Sequence, residues 1–276
     1  MGDNRADADQ WQVTMTFELT DSELGRYQRD GFLIRERVFG SSEVAAFRDA
    51  AERAVTKAAD LCQTGKTYLL DGKRFVDAGH VTVQFEHTPD SETVRVIEPV
   101  HELESRLDAL VDDARIVEPM RALVGADEIA LWTDKLNLKR PREGSAFRWH
   151  QDSPYWVHDC SHVDRLPNVL VTFDDASVEN GCLRVVRGSH TEGCFPGIAD
   201  STQLGGFYTD PECFDESQQV AMEVPAGSLV FFHPHSVHGS LPNRSDRPRR
   251  AMVLTYQPAG NPMLKSGRER SVGGTC

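Results

Sequence analysis

Residues 149–156 read WHQDSPYW, and this stretch lies among a series of short apolar runs. At its centre stand His150 and Asp152, an imidazole and a carboxylate two residues apart. If the segment is extended, alternation along the strand places both side chains on one face. Two ligands do not hold a metal ion, so a third ligand is expected from a distant part of the chain.

Short apolar runs flank this stretch on both sides, with Gly, Pro, Asn and Asp between them. They cover residues 129–132, 136–138, 169–173, 182–186, 228–232 and 251–256. Many short strands separated by turn residues are typical of a β-sandwich or barrel. We expect residues 129–257 to form two facing, mostly antiparallel sheets.

The first half of the chain has a helical pattern instead. Thr20 and Glu23 form a capping box, and the helix that they begin should end at Gly31. Ser41 or Ser42 should cap a second helix, in which apolar residues recur at spacings of three and four. Residues 99–124 look helical in two pieces, while residues 65–84 are loop and strand without a clear pattern. Helices followed by strands predict an α+β chain with a mainly β core, a jelly roll with flanking N-terminal helices.

Composition limits the class of protein. The 276 residues have a net charge of −13, which argues against nucleic acid or an anionic membrane surface as a partner. The six cysteines include no C-x-x-C pair, and no run approaches the ~18 apolar residues of a membrane span. We therefore expect a cytoplasmic protein of one domain over residues 1–276, with residues 1–14 and 260–276 loose.

Residues 232–240 read FHPHSVHGS and offer three histidines, His233, His235 and His238, as the distant ligand. Two histidines and one carboxylate that leave coordination positions open form the facial triad of non-haem Fe(II) oxygenases. Spacing alone does not choose among the three histidines.

The order of these motifs resembles the phytanoyl-CoA dioxygenase family. The resemblance rests on Leu19-Thr20 to Gly31-Phe32 and on residues 139–141, 149–152, 179–190, 238–240, 243 and 249–250. It implies a double-stranded β-helix that uses Fe(II), 2-oxoglutarate and O2 to hydroxylate or otherwise oxidise a small organic substrate, releasing succinate and CO2. One departure is Arg187, where the family usually has Pro, but it lies in a turn away from the metal motif.

The resemblance also implies roles for single residues. It selects His238 as the third ligand, because Gly-Ser follows it directly, and leaves His233 and His235 structural or exposed. Arg249 matches the residue that binds the far carboxylate of 2-oxoglutarate, a task that suits the planar guanidinium.

Further contacts with 2-oxoglutarate are implied at Ser240 and Lys135, although an ordinary turn serine and an exposed lysine remain open alternatives. Arg250 should point away from Arg249 on a strand. Arg95 falls near another basic position of some relatives, in a register too loose to assign.

Four aromatic residues near the motif, Trp132, Trp149, Tyr155 and Trp156, are candidates for a substrate pocket, and we expect core packing for at least two of them. Cys182 reads as a core residue.

Other functions are less well supported. A halogenase of this chemistry lacks the carboxylate ligand, whereas Asp152 is present. A jelly roll that binds a metal or ligand without turnover would not need Arg249, and a hydrolase would need a G-x-S-x-G turn, which does not appear. The identity of the substrate is not indicated by the sequence.

Overall fold

The computed structural model describes residues 16–88 and 90–273. Its α-helices are α1 (Asp21–Asp30), α2 (Ser41–Cys62), α3 (Ser105–Val111), α4 (Ala114–Val124) and α5 (Ser153–Trp156). Its strands are β1 (Phe32–Arg35), β2 (Lys66–Leu70), β3 (Lys73–Ala78), β4 (Val81–Phe85), β5 (Val94–Glu98), β6 (Ile129–Lys139), β7 (Phe147–His150), β8 (Asn168–Thr172), β9 (Leu183–Val186), β10 (Gln219–Ala221), β11 (Leu229–Phe232), β12 (His238–Ser240) and β13 (Arg249–Pro258).

The ends of the helices follow local chemistry. Thr20 and Glu23 form the predicted capping box on α1, and Gly31 ends that helix in the left-handed region at φ 80°. The second helix starts where expected, but Gly40 is its N-cap, and the carboxylate of Glu43 accepts a hydrogen bond from the Gly40 amide. Gly125 ends α4 in the left-handed region, as predicted.

Two antiparallel sheets form the β core, which confirms the predicted double-stranded β-helix. The larger sheet has the strand order β1-β11-β8-β13-β6-β5-β4-β3-β2, and the smaller sheet the order β10-β9-β12-β7. Residues 65–84, which had no clear pattern in the sequence, form most of a meander, β2 to β5, that widens the larger sheet. This meander forms one wall of the cavity described below.

Two layers of apolar side chains hold these parts together. One layer lies between the helices and the outer face of the larger sheet, and includes Phe47, Leu107, Ile116, Leu138 and Tyr256. The second layer lies between the two sheets and includes Leu170, Cys182, Val185, Phe232 and Val253. Burial of apolar surface in both layers stabilises the sandwich.

The C-terminal segment differs from the expectation of a loose tail. As far as residue 273, it returns along β6, where the amide of Leu131 donates to the carbonyl of Arg270. Met263 and Val272 are buried against the core. The predicted loose N-terminus, residues 1–14, lies outside the described residues.

Within residues 16–88 and 90–273, none of the helices combines the length and the apolar character that a membrane crossing requires.

Candidate metal centre

His150, Asp152 and His238 converge on one point between the sheets. His150 ends β7, His238 begins β12, and the two residues are cross-strand partners in the smaller sheet. One ligand atom from each of the three residues lies within 4.8 Å of the others. The remaining histidines of the 232–240 segment do not belong to this cluster.

Asp152 reaches the cluster by a different route from the one we expected. The strand ends at His150, and Asp152 has a helical backbone conformation, φ −78° and ψ −33°, just before α5. Strand alternation therefore does not align the two side chains. The chain turns here because the amides of Asp152 and Ser153 both donate to the carbonyl of Pro234, at 3.1 Å.

Backbone carbonyls orient the two imidazoles. Nδ1 of His150 donates to the carbonyl of Arg148 at 2.8 Å, and Nδ1 of His238 donates to the carbonyl of Ser236 at 2.9 Å. In this tautomer the Nε2 atoms carry lone pairs, and they face Asp152 at 4.0 and 3.8 Å. Burial and the neighbouring His238 lower the pKa of His150 to about 3, so this ring is neutral at physiological pH, as a metal ligand must be.

Asp152 is oriented by a chain of hydrogen bonds. Asn168 donates to its Oδ2 at 2.9 Å, and Thr255 in turn donates to the amide oxygen of Asn168 at 2.5 Å. Burial opposes ionisation of Asp152, but the neighbouring rings of His238 and His150, the ammonium of Lys135 and the hydrogen bond from Asn168 outweigh it and keep the pKa of this carboxyl below its usual range. Two imidazoles and one carboxylate fit a divalent first-row metal ion.

The other two histidines have structural contacts. His235 Nδ1 lies 2.6 Å from the hydroxyl of Ser153, and its Nε2 lies 2.5 Å from a carboxylate oxygen of Asp164. His233 Nδ1 accepts a hydrogen bond from the amide of His235 at 3.1 Å. The two contacts of His235 brace the segment before β12 against α5, which positions His238.

A cavity of about 510 Å³ opens beside the three ligands, between the sheets. Arg249 and Ser240 both line it, and both are buried. Among the described residues, Nε of Arg249 and the hydroxyl of Ser240 have no hydrogen-bond partner. Burial lowers the pKa of Arg249 to about 10, so it stays charged at neutral pH. Unpaired buried groups of this kind indicate a ligand, because their desolvation is costly.

The neighbours of Arg249 lie as strand geometry predicts. Arg250 points to the other face of β13, where its guanidinium binds Asp174 and Glu52. Lys135 also lines the cavity, with Nζ 3.9 Å from a carboxylate oxygen of Glu98. On β6, Lys135 lies four residues before Lys139, which is the cross-strand partner of Arg249. Lys135 is therefore displaced from Arg249 along the strand, and its ammonium group acts electrostatically on Asp152 instead.

The four candidate aromatic residues divide between core and pocket. Trp132 and Trp156 pack edge to face in a small core cluster, and Trp149 packs against Phe214 outside the cavity. Tyr155 lines the cavity and stacks on Phe207 at 4.5 Å. Core packing for at least two of them is therefore confirmed.

Several cavity residues had no recognisable signal in the sequence. The meander contributes Lys73, Phe75, His87 and Arg95, and the loop before β10 contributes Tyr208. Only Arg95 was considered from the sequence, and without an assignment. Asn168 had a weak signal, as the polar residue that begins an otherwise apolar run.

Comparison with family models and curated proteins gives consistent results. Residues 27–251 match the model of the family "Phytanoyl-CoA dioxygenase (PhyH)". An ectoine dioxygenase of Bordetella parapertussis is 29% identical over 258 residues, which cover 88% of this chain and 77% of the relative. An L-proline trans-4-hydroxylase of Streptomyces griseoviridis is 28% identical over 269 residues, which cover 90% of each chain.

Solved structures share the fold. EctD from S. alaskensis with bound Fe matches with a TM-score of 0.70 at 25% identity, covering 92% of this chain and 81% of that one. The same protein with 2-oxoglutarate and 5-hydroxyectoine has a TM-score of 0.69 at 24% identity, covering 93% of this chain and 81% of that one. A non-haem carbocyclase, SnoK, has a TM-score of 0.65 at 21% identity and covers 89% of this chain and 87% of its own.

These comparisons confirm the predicted class of enzyme, an oxidoreductase of the dioxygenase type. They also confirm iron and 2-oxoglutarate as cofactors at the level of the family, because solved relatives hold both. On the match over residues 27–251, the chain belongs to the phytanoyl-CoA dioxygenase family.

Proposed function

We propose that this chain uses Fe(II), 2-oxoglutarate and O2 to hydroxylate or otherwise oxidise a small organic substrate, with release of succinate and CO2. In this proposal His150, Asp152 and His238 hold the iron, and Arg249 with Ser240 binds the far carboxylate of 2-oxoglutarate. One observation carries the proposal: a single cavity contains both the three-residue cluster and a buried guanidinium that has no partner in the described part of the chain.

The protein's task at the metal is orientation. When bound, iron together with 2-oxoglutarate supplies the oxidising chemistry, and three protein ligands leave positions open for it. The carbonyls of Arg148 and Ser236 fix the imidazole rings, and Asn168 fixes the carboxylate of Asp152. Such outer contacts set the tautomer and the direction of each ligand.

Arg249 gives the cavity a second anchor. A buried cation without a counter-ion is costly, and a dianionic cosubstrate would supply the missing charge. Its planar guanidinium can donate two parallel hydrogen bonds to one carboxylate, and the Ser240 hydroxyl lines the same cavity. A barrel that only bound a metal would have no use for this pair.

Aromatic and aliphatic side chains form much of the remaining wall of the cavity. Phe75, Phe147, Tyr155, Tyr208 and Phe232 are among the lining residues. An apolar wall of this kind excludes water from the reacting atoms and leaves room for a small molecule beside the cosubstrate.

Incubation with Fe(II), ascorbate and O2 tests this function. We expect the purified protein to consume 2-oxoglutarate and release succinate in equal amounts, and slowly even without substrate. Succinate is measured by mass spectrometry, and samples without Fe(II) serve as the control. Absence of both succinate release and 2-oxoglutarate binding would contradict the proposal.

A further inference from the structure

A row of charged side chains crosses the larger sheet at the Arg249 end of the cavity. Lys73, Arg95, Lys139 and Arg249 supply four cations from β3, β5, β6 and β13, and Glu86, just after β4, is the one acid. Arg249 and Lys139 are cross-strand partners, and a carboxylate oxygen of Glu86 lies 4.0 Å from Nε of Arg95. This basic row contrasts with the chain's net charge of −13.

Arg95 owes its position to a β-bulge. Gln84 pairs with Val96 and Phe85 pairs with Val94, so Arg95 has no partner on β4. A bulge redirects a side chain, and here it turns Arg95 into the cavity.

Two contacts hold the guanidinium of Arg95, but one of its hydrogen-bond donors has no partner among the described residues. It stacks 3.7 Å above the ring of Phe147 and donates from Nη2 to the carbonyl of Ala146 at 2.7 Å. Arg95 is only 6% exposed, and its Nε atom is the donor without a partner in the described part of the chain. A fixed, desolvated guanidinium with a free donor is a built site for an anion.

The charges of the row exceed what 2-oxoglutarate neutralises. Burial, together with Arg249 and Arg95, lowers the pKa of Lys139 to about 6, so this lysine is mostly neutral at pH 7. Three cations then face one acid, which leaves two positive charges. On the proposed function, the far carboxylate of 2-oxoglutarate neutralises the charge at Arg249, and one positive charge remains.

The positive charge that remains is carried by Arg95 and Lys73. Lys73 Nζ donates to the hydroxyl of Tyr208 at 2.9 Å, and among the described residues no carboxylate comes within ion-pair distance of it. Tyr208 forms a β-bridge with His150, so Lys73 also lies near the metal ligands. Both cations line the cavity.

We propose that the substrate carries a carboxylate, and that Arg95 and Lys73 bind it while the rest of the molecule extends toward the metal. This inference rests on the proposed function, since it places the substrate in the space that 2-oxoglutarate leaves. The next row along the strands, about 7 Å away, consists of Phe75, Gln84, Val96 and Asn137, all of which line the cavity. The substrate body would lie over these mainly apolar and amide side chains.

A paired panel of small molecules tests the inference by binding alone. The protein is first loaded with Fe(II) and 2-oxoglutarate without oxygen, and the charge-transfer absorption of that complex is recorded. Small monocarboxylates and their primary amides, matched in shape, are then added together, and bound compounds are identified by mass spectrometry after gel filtration. We expect the carboxylates to be retained at least about tenfold more than the amides, as one charge-assisted hydrogen bond provides.

Substitutions at Arg95 and Lys73 test whether these two residues cause the preference for carboxylates. Arg95→Gln should reduce the preference for carboxylates by about tenfold, so that most of it is lost, without a change in 2-oxoglutarate affinity. Arg74→Gln is the matched control, because Arg74 lies next to the cavity residue Lys73 on the same strand but contacts Phe85 and Glu92 instead. If Arg95→Gln does not fold, Lys73→Gln at the start of β3 provides the same test with a smaller loss.

Three results would overturn the inference. Carboxylates and amides could bind equally, Arg95→Gln could match Arg74→Gln, or Arg95→Gln could weaken 2-oxoglutarate alone, which would assign Arg95 to the cosubstrate. Failure of the proposed function is seen separately, because the charge-transfer absorption would then be absent before any panel compound is added.

Discussion

Replacing His238 with alanine is expected to abolish stable metal binding and reduce succinate release to background. The variant leaves one imidazole and Asp152, and two ligands do not hold the ion. Loss of residues that merely orient a ligand costs about 10–100-fold in metal affinity, so loss of the ligand itself should cost more. Equilibrium dialysis against Fe(II) without oxygen, followed by metal analysis, measures the effect.

His233→Ala is the matched control, because this histidine lies on the same segment and its ring contacts His190 and His235 rather than the cluster. We expect this variant to keep its metal and its succinate release. The assignment of the third ligand would be wrong if His233→Ala lost the metal and His238→Ala retained it.

Arg249→Ala should weaken 2-oxoglutarate binding strongly and leave Fe(II) binding nearly intact. Loss of a charge-assisted hydrogen bond costs about 1.5–3 kcal/mol, which corresponds to roughly ten- to a hundredfold in affinity. Arg249→Lys should recover only part of this loss, since an ammonium group cannot donate two parallel bonds to one carboxylate. Titration of 2-oxoglutarate into the Fe(II)-loaded protein without oxygen measures the 2-oxoglutarate affinity of each variant.

Arg250→Ala controls for the general effect of removing a charge from β13. Arg250 lies on the opposite face, bound to Asp174 and Glu52, so its loss should affect stability and not the affinity for 2-oxoglutarate. Equal effects of the two alanine variants on that affinity would remove the role assigned to Arg249.

Local sequence signals predicted the parts of the fold that local chemistry determines. The capping box at Thr20 and the glycines after α1 and α4 fixed the ends of those helices. The β2–β5 meander was predicted only as loop and strand without defined bounds, because its partly exposed strands have polar residues where an alternating apolar pattern is needed. Tertiary pairing with β6 determines that these residues form strands.

Motif order predicted the three residues of the cluster, although the reason first given for Asp152 was incorrect. We expected His150 and Asp152 to share a strand face, whereas the Pro234 carbonyl turns the chain after His150 and brings Asp152 back to the cluster. That hydrogen bond joins residues about 80 positions apart, and no local pattern indicates it.

The cations on the meander show a similar limit. A β-bulge, not strand alternation, directs Arg95 into the cavity, and a bulge depends on the pairing of two strands. Lys73 reaches the site only because β3 lies beside the loop that carries Tyr208. The sequence therefore indicated the residues proposed to hold cofactors better than those proposed to hold substrate.

His150, Asp152 and His238 are proposed to hold Fe(II) in the cavity where Arg249 anchors 2-oxoglutarate. Anaerobic addition of 2-oxoglutarate to the Fe(II)-loaded protein examines this arrangement through the metal-to-ligand charge-transfer absorption of the chelate. We expect the absorption to appear with the wild-type protein, to require more 2-oxoglutarate with Arg249→Ala, and to be absent with His238→Ala. If the iron-loaded wild-type protein lacks the absorption, or His238→Ala retains it fully, this assignment of the site is wrong.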